Sequence, residues 1–341
     1  MPSRPHRPRR TTIVDIAREL ELSIASVSCA LNGKPGVSEA TRERILRTAR
    51  EMGWTANHAA RSLQSRRSQM IGLVLRRDPA DAVQISDFML RFIDGLNQPF
   101  TSREEAIALR TVRDVEAEIR TYRDWASQGR VDALVITDVM AEDPRLPLLA
   151  ELDVPAVVVG DVRGLADLPS VWTDDEVAMR LSIEHLAAQG HRTAARIHEG
   201  EHLRHGRVRS AAFARAAQQA GIGIAAMIPS VVGADAAARQ LQELLASDPA
   251  PTALQFDSSL RAAEALRALR GMGLRVPEDI ALLTLDNSPL CEITEPGLTA
   301  IDRDAFAYGA TAGRAVLALL ETDAREDVQG TTSRLVRRGS S

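Results

Sequence analysis

The chain has 341 residues, 45% hydrophobic but only 3% aromatic, with a net charge of −4. That length suggests two or three domains with aliphatic cores, and no apolar run approaches the length of a membrane span. Cys29 and Cys291 lie too far apart to form a disulfide framework or a metal cluster, so a reducing cytoplasm is the expected home and no cofactor or metal is expected.

The net charge hides an asymmetry. Residues 1–68 carry thirteen Lys/Arg against six Asp/Glu, a balance of +7, and the remainder carries −11. A basic head on an acidic body fits a head that binds a polyanion, although charge alone equally fits a solvated tail. The opening "MPSRPHRPRR" has no apolar segment behind it, so residues 1–10 read as a disordered basic tail rather than a secretory signal.

Three short helices are predicted next. "IVDIAREL" places Ile13, Ile16, Ala17 and Leu20 on one face. "IASVSCALN" follows Ser23 as its N-cap and turns Val27, Leu31 and part of Ile24 inward. The third begins near Ser38, lines Ile45, Ala49 and Met52 on one face and stops at Gly53. The first two, joined by "ELS", fit a helix-turn-helix whose second helix keeps its N-terminal side chains free for a major groove. Short residues suit a helix lying against base edges. Ile24 and Ala25 suit thymine methyls, Ser or Asn hydrogen bonds, and the flanking Arg residues phosphates. A plain three-helix packing domain is the alternative. After it, Asn57 can cap a helix of about seven residues, too short to be stable alone.

From residue 70 the pattern changes. "MIGLVL", "AIALRTV", "VDALVIT", "VPAVVVG", "TAARIH", "MIPSVVG", "PTALQF" and "IALLTL" are apolar runs of strand length that alternate with helical segments. That alternation predicts parallel sheets covered by helices, and nearly 270 residues favour two lobes with a ligand cleft at the strands' carboxyl ends.

The stretch from "TTIVDIARELELSIASVSCALNGKPGVSEATRERI" to "TANHAARSLQSRRSQMIGLVL" resembles, without a gap, the N-terminal signature of the LacI/GalR family of bacterial transcription regulators. "EHLAAQGHRTA", "LRVPEDIALLTLDN" and "PGLTAI" resemble later landmarks of that family's ligand-binding core, so the likeness covers roughly residues 11 to 338.

The resemblance implies an all-α helix-turn-helix head plus a hinge helix, joined to an α/β two-lobed periplasmic-binding-protein-like core. The head is expected over 11–56, the hinge helix and linker over 57–68 and the core over 69–341. The first lobe would take about 69–190 and 302–323, the second about 191–301 and 324–341. The implied function is that of a cytoplasmic, non-enzymatic regulator, a repressor by family habit. It would bind a pseudo-palindromic operator in double-stranded DNA as a homodimer, under control of a small effector, a sugar by base rate.

By position, Ile24 and Ala25 match the pair that sets half-site preference. Ser23, Ser28 and Asn32 match neighbouring DNA contacts, and Thr12 a phosphate contact. Asn57, His58, Ala60 and Leu63 fall in the hinge segment, where Leu63 matches a minor-groove wedge. Arg209 and Asp286 match effector contacts.

The chain departs from the pattern at four places. Cys29 stands where relatives carry Arg, and Glu21 where they carry the turn Gly. Ser258 and Ser259 replace an Asn-Asp pair that grips sugar hydroxyls. "RRDPADAVQISDFM" lacks the usual character after the first strand. The last two departures predict an unusual effector or weak effector control. A corepressor-type or effector-independent regulator stays open. The remoter alternative, an enzyme on an α/β scaffold, finds no GxSxG, P-loop or HExxH support. "HEGEHLRH", with His198, His202 and His205, is the one segment with a metal-like composition.

Overall fold

The computed structural model describes residues 11–31, 34–54, 67–76, 86–103 and 105–341. The chain divides into two compact units, Met1–Arg67 and Ser68–Ser341.

The first unit holds α1 (Ile13–Leu20), α2 (Ile24–Leu31) and α3 (Glu39–Glu51). Each begins at a hydroxyl cap. Thr12 forms a capping box with Asp15, Ser23 Oγ accepts from Ser26 N at 3.0 Å, and Ser38 Oγ accepts from Thr41 N at 3.3 Å. Eight-residue helices such as α1 and α2 are marginal alone. They are held by a small core of Ile16, Ala17, Val27, Ala30, Ile45 and Ala49. Fully buried Ile16, Val27 and Ile45 each contribute about 1.5–3 kcal/mol of transfer energy. Ile24 turns outward, 54% exposed, and Ala30 takes the inward place expected for it.

The second unit contains two six-stranded sheets wound alike. The first has the order β11-β5-β4-β3-β1-β2 and the second β12-β10-β9-β8-β6-β7. The first comprises β1 (Met70–Arg76), β2 (Ala106–Val112), β3 (Ala133–Ile136), β4 (Ala156–Val159), β5 (Ser170–Trp172) and β11 (Val328–Gln329). The second comprises β6 (Thr193–His198), β7 (Gly223–Pro229), β8 (Ala253–Phe256), β9 (Ala281–Thr284), β10 (Thr299–Asp302) and β12 (Arg334–Val336). The strand pairs are parallel except for β10 with β12. Central strands such as β3, β8 and β9 are buried along their whole length, which is why they read as continuous apolar runs.

Nine helices of this unit are described: α4 (Asp87–Asn97), α5 (Val115–Ser127), α6 (Arg145–Glu151), α7 (Asp175–Ala188), α8 (Arg204–Ala220), α9 (Ala234–Leu245), α10 (Ser259–Gly271), α11 (Leu290–Ile293) and α12 (Ala305–Thr322). The chain passes between lobes after β5, after β10 and between β11 and β12. These crossings revise two expected lobe limits. Helix α7 buries Ala178, Met179, Ile183 and Leu186 in the second lobe's core, so that lobe starts near 174 rather than 191. Residues 328–329 pair with β5 and return to the first lobe. Their two-residue strand is too short to show as an apolar run. Strand β7 is also shifted, running over 223–229 instead of covering "MIPSVVG", because it pairs with β6 only as far as Pro229.

Candidate DNA-binding face and interlobe site

In the head, Val27 and Ala30 fix one side of α2 inward, which turns its N-terminal side outward. Ser23, Ile24 and Ala25 are all exposed, and Ser28 and Cys29 are half-buried. Thr12 is exposed at the start of α1, with its hydroxyl engaged by Asp15 at 2.7 Å. These six positions therefore share one small unit in accessible or partly accessible places. Asn32, Asn57, His58, Ala60 and Leu63 lie outside the described residues. Glu21 adopts the left-handed region, φ 54° and ψ 37°, closing α1 as a glycine would. The departure at this turn is thus accommodated by strain and not by a change of turn.

In the core, the loops at the carboxyl ends of the two sheets meet. The segment after β3 and the segment after β6 form an antiparallel bridge: Ala141 N donates to His202 O at 3.0 Å and Arg204 N to Val139 O at 2.8 Å. Arg204 Nε also donates to Asp161 O at 2.6 Å, and Arg91 to Asn287 O at 3.4 Å. A buried network shapes the first of these loops. Arg145 pairs with Asp143 and Glu118, each at 2.6 Å, and donates to the carbonyls of Thr137 and Asp138. Tyr122 donates a short hydrogen bond to the same Glu118.

Between the lobes lies a set of charged groups on strand ends and helix starts. Arg209, 7% exposed, donates from Nε to Asp175 at 2.8 Å. Arg196 pairs with Asp257 at 2.9 Å and hydrogen-bonds Gln255. Burial opposes the charge on Asp257, yet Arg196 and Arg209 outweigh it and hold the carboxyl below its ordinary range. Glu199 behaves oppositely. Although the residue keeps an exposed surface at the end of β6, loss of solvation among the surrounding interlobe groups, reinforced by Asp257, pushes it up to about 7. Burial and then the charge of Arg209 push His205 down to about 4. Asp286 is raised by burial, partly offset by a hydrogen bond from Ser259 at 2.9 Å.

Of the four expected effector contacts, Arg209 and Asp286 line this region. Ser258 sits at the start of α10 without a capping hydrogen bond. Ser259 needs correction. It is 3% exposed and its hydroxyl is spent between Asp286 and Ser288, the latter at 2.7 Å, so it orients Asp286 rather than facing a ligand. Sequence reading missed Asp175, Glu199, Asp257 and Arg303, and noticed His205 only as part of a metal-like segment. Each follows a strand end or opens a helix, and position relative to β-strand termini was the available signal. The histidines of "HEGEHLRH" do not converge. His198 Nδ1 accepts from Gly200 N at 3.1 Å, and no group of three metal-ligating side chains gathers among the described residues.

A helix-turn-helix head on a two-lobed α/β core with a polar interlobe site defines a DNA-binding regulator of the ligand-responsive type. Residues 12–57 match the family described as bacterial regulatory proteins, lacI family, and residues 183–341 match a periplasmic binding protein-like domain. The transcriptional regulator AglR of Rhizobium meliloti is 33% identical over 276 residues, covering 80% of this chain and 76% of that protein. A solved lac repressor dimer bound to operator and the anti-inducer ONPF is similar at TM-score 0.83 and 25% identity, over 97% of this chain and 99% of that one. A complex of the regulator CelR with cellobiose is similar at TM-score 0.73 and 26% identity, over 97% and 100%. The chain belongs to the lacI family and is a DNA-binding transcriptional regulator.

Proposed function

We propose that the protein represses transcription as a homodimer bound to a pseudo-palindromic operator, and that a small sugar-like effector in the interlobe site alters that binding. The observation that carries the DNA reading is the outward N-terminal side of α2, with Ser23, Ile24 and Ala25 exposed above a core that pins Val27 and Ala30. Its basic surroundings supply the phosphate attraction. In this reading Ile24 and Ala25 meet base edges, Ser23, Ser28, Cys29 and Asn32 flank them, and Thr12 meets a phosphate. Asn57, His58, Ala60 and Leu63 belong to a hinge segment that pairs with its dimer mate on DNA. Arg209, Asp286 and Ser258 belong to the effector site. The similar structures hold an operator in one case and cellobiose in another, which supports both halves of the reading.

Footprinting and mobility shift on DNA upstream of the protein's own locus test it. A two-fold symmetric footprint is expected, with affinity falling linearly in log salt. Ile24→Ala should change which half-site base is preferred, with a cost of about 1–3 kcal/mol on the favoured operator. An asymmetric footprint, or binding indifferent to salt, would overturn the proposal. Addition of an effector should change operator affinity, and by linkage operator should change effector affinity by the same factor.

A further inference from the structure

We propose that the effector is a small polyhydroxylated molecule bearing one anionic group, a carboxylate or a phosphate, which Arg303 receives. This rests on the interlobe space being the effector site and names the class of ligand it takes.

Arg303 follows β10 directly and is only 9% exposed. Its Nε donates to Leu285 O at 3.1 Å, and its guanidinium carbon stands 4.4 Å over the ring of Phe88 from the facing lobe. Among the described residues, neither of its two amino groups has a hydrogen-bond or ion-pair partner. The neighbouring buried arginines differ. Arg209 has Asp175, Arg196 has Asp257, and Arg145 has Asp143 and Glu118. A buried cation without a carboxylate costs several kcal/mol, so a buried arginine is normally paired. Burial, and then the charge of Arg209, lower the affinity of Arg303 for its own proton, and the fields of Asp175, Asp286 and Asp257 offset this only in part.

Arg303 lines a small recess of about 10 Å³, room for about one water, with Phe88, Arg91, Asp286, Asn287 and the start of α12. Three carboxylates border the same space, and two are engaged. Asp302 is held by Arg334 at 2.8 Å, and Asp304 caps α12 by accepting from Ala307 N at 3.0 Å. Asp286 makes no ion pair among the described residues; it accepts from the Ser259 hydroxyl and feels Arg303 and Arg91 only through their fields. An unpaired acid suits a ligand hydroxyl, while the open fork of a guanidinium suits a planar or tetrahedral anion. The two lie on one cavity with an aromatic face between the lobes.

The test compares glucose, gluconate, glucuronate and glucose 6-phosphate on the full chain, each at about 10 mM in a thermal-shift assay and then by calorimetric titration. At least one acid should raise the melting temperature while glucose does not. The gluconate and glucuronate arms separate a carboxylate from the phosphate of the last arm. Arg303→Gln should weaken the active acid by at least about tenfold, with circular dichroism confirming the fold. Arg303→Lys, which keeps charge without the fork, should fall between the two and serves alone if the Gln variant does not fold.

The proposal is overturned if no acid stabilises the chain, if glucose does so equally, or if Arg303→Gln binds the acid as tightly as the parent. Glucose binding that Asp286→Asn abolishes would leave the site and refute only the anionic ligand. Acid binding that survives both variants would refute the site itself.

Discussion

A single residue, Glu21, shows how this chain accepts local strain at a turn where the family resemblance leads one to expect glycine. It closes α1 with φ 54°, and the turn is secured by Leu22 N donating to Ala17 O at 3.0 Å. A side chain in the left-handed region costs roughly 1–2 kcal/mol, and glycine gives back about half of that relief as extra unfolded-state entropy. Glu21→Gly should therefore stabilise the head by about 0.5–1 kcal/mol. Hydrogen exchange of the α1–α3 amides in the full chain should then show protection about two- to fivefold higher. Unchanged or lower protection would mean that the Glu21 side chain contributes more than its strain costs. Cys29 belongs to the same scale. It is half-buried, and its Sγ lies 3.8 Å from where a Cβ on Gly36 would stand, so it fills a packing position at the edge of the face proposed to meet DNA. An arginine, expected here from the family resemblance, would reach beyond the thiol's range, so on the proposed DNA contact the operator preference near this residue should shift in Cys29→Arg.

At the scale of elements, the first lobe depends on α4 and α12 crossing at backbone contact. A Cβ on Gly309 would stand 2.0 Å from Phe92 O, and one on Gly95 2.0 Å from Phe306 O. Gly309→Ala must push these helices apart, and urea unfolding should show a loss of about 3 kcal/mol. Gly271→Ala is the control. It sits in the last turn of α10 with nothing within 4 Å of a new Cβ, and should gain about 0.5–1 kcal/mol. Equal effects at both sites would rule out the close crossing. The same contrast explains what the sequence could tell. The helices of the head and the long strands were legible because apolar spacing and caps are local: "IVDIAREL" is α1 to the residue, and Ser23 caps α2. The short strands β5, β11 and β12 carry too few residues to display a period. The site was legible only in part. Arg209 and Asp286 stood out by resemblance, whereas the pairings Arg196–Asp257 and Arg145–Glu118 join residues 61 and 27 positions apart. No local pattern encodes such partners. Ser259 was misjudged for the same reason, since its burial against Asp286 is decided by the meeting of α10 with the segment after β9.

For the whole molecule, the interlobe charges make core stability depend on pH in two opposed ways. His205 is held neutral by burial and by Arg209, with its pKa near 4 instead of 6.5. The unfolded chain therefore takes up a proton that the folded chain refuses, and stability is complete above about pH 6.5 and is lost as pH falls toward 4. His185, His191 and His198 are displaced in the same direction, each chiefly by burial. Glu199 has the reverse sign. Its pKa is pushed from 4.5 up to about 7, so the folded state keeps a proton that the unfolded state releases. Its contribution is present below 4.5 and disappears as pH rises through 7. Asp286, raised by burial, has the same sign as Glu199; between 4.5 and 6.5 the four histidines oppose these carboxyls, and above 6.5 the histidines no longer contribute to the slope. The core's melting temperature should consequently pass through a maximum near pH 6.5 and decline slightly toward 7.5. Calorimetry of the full chain across pH 4.5–8 reads this directly. His205→Asn should flatten the acid limb, and Glu199→Gln should turn the decline above 6.5 into a plateau. A decline that persists unchanged in Glu199→Gln would show that the carboxyl is already ionised in the folded core. The aqueous space between the lobes would then be wet enough to cancel the desolvation that raises it.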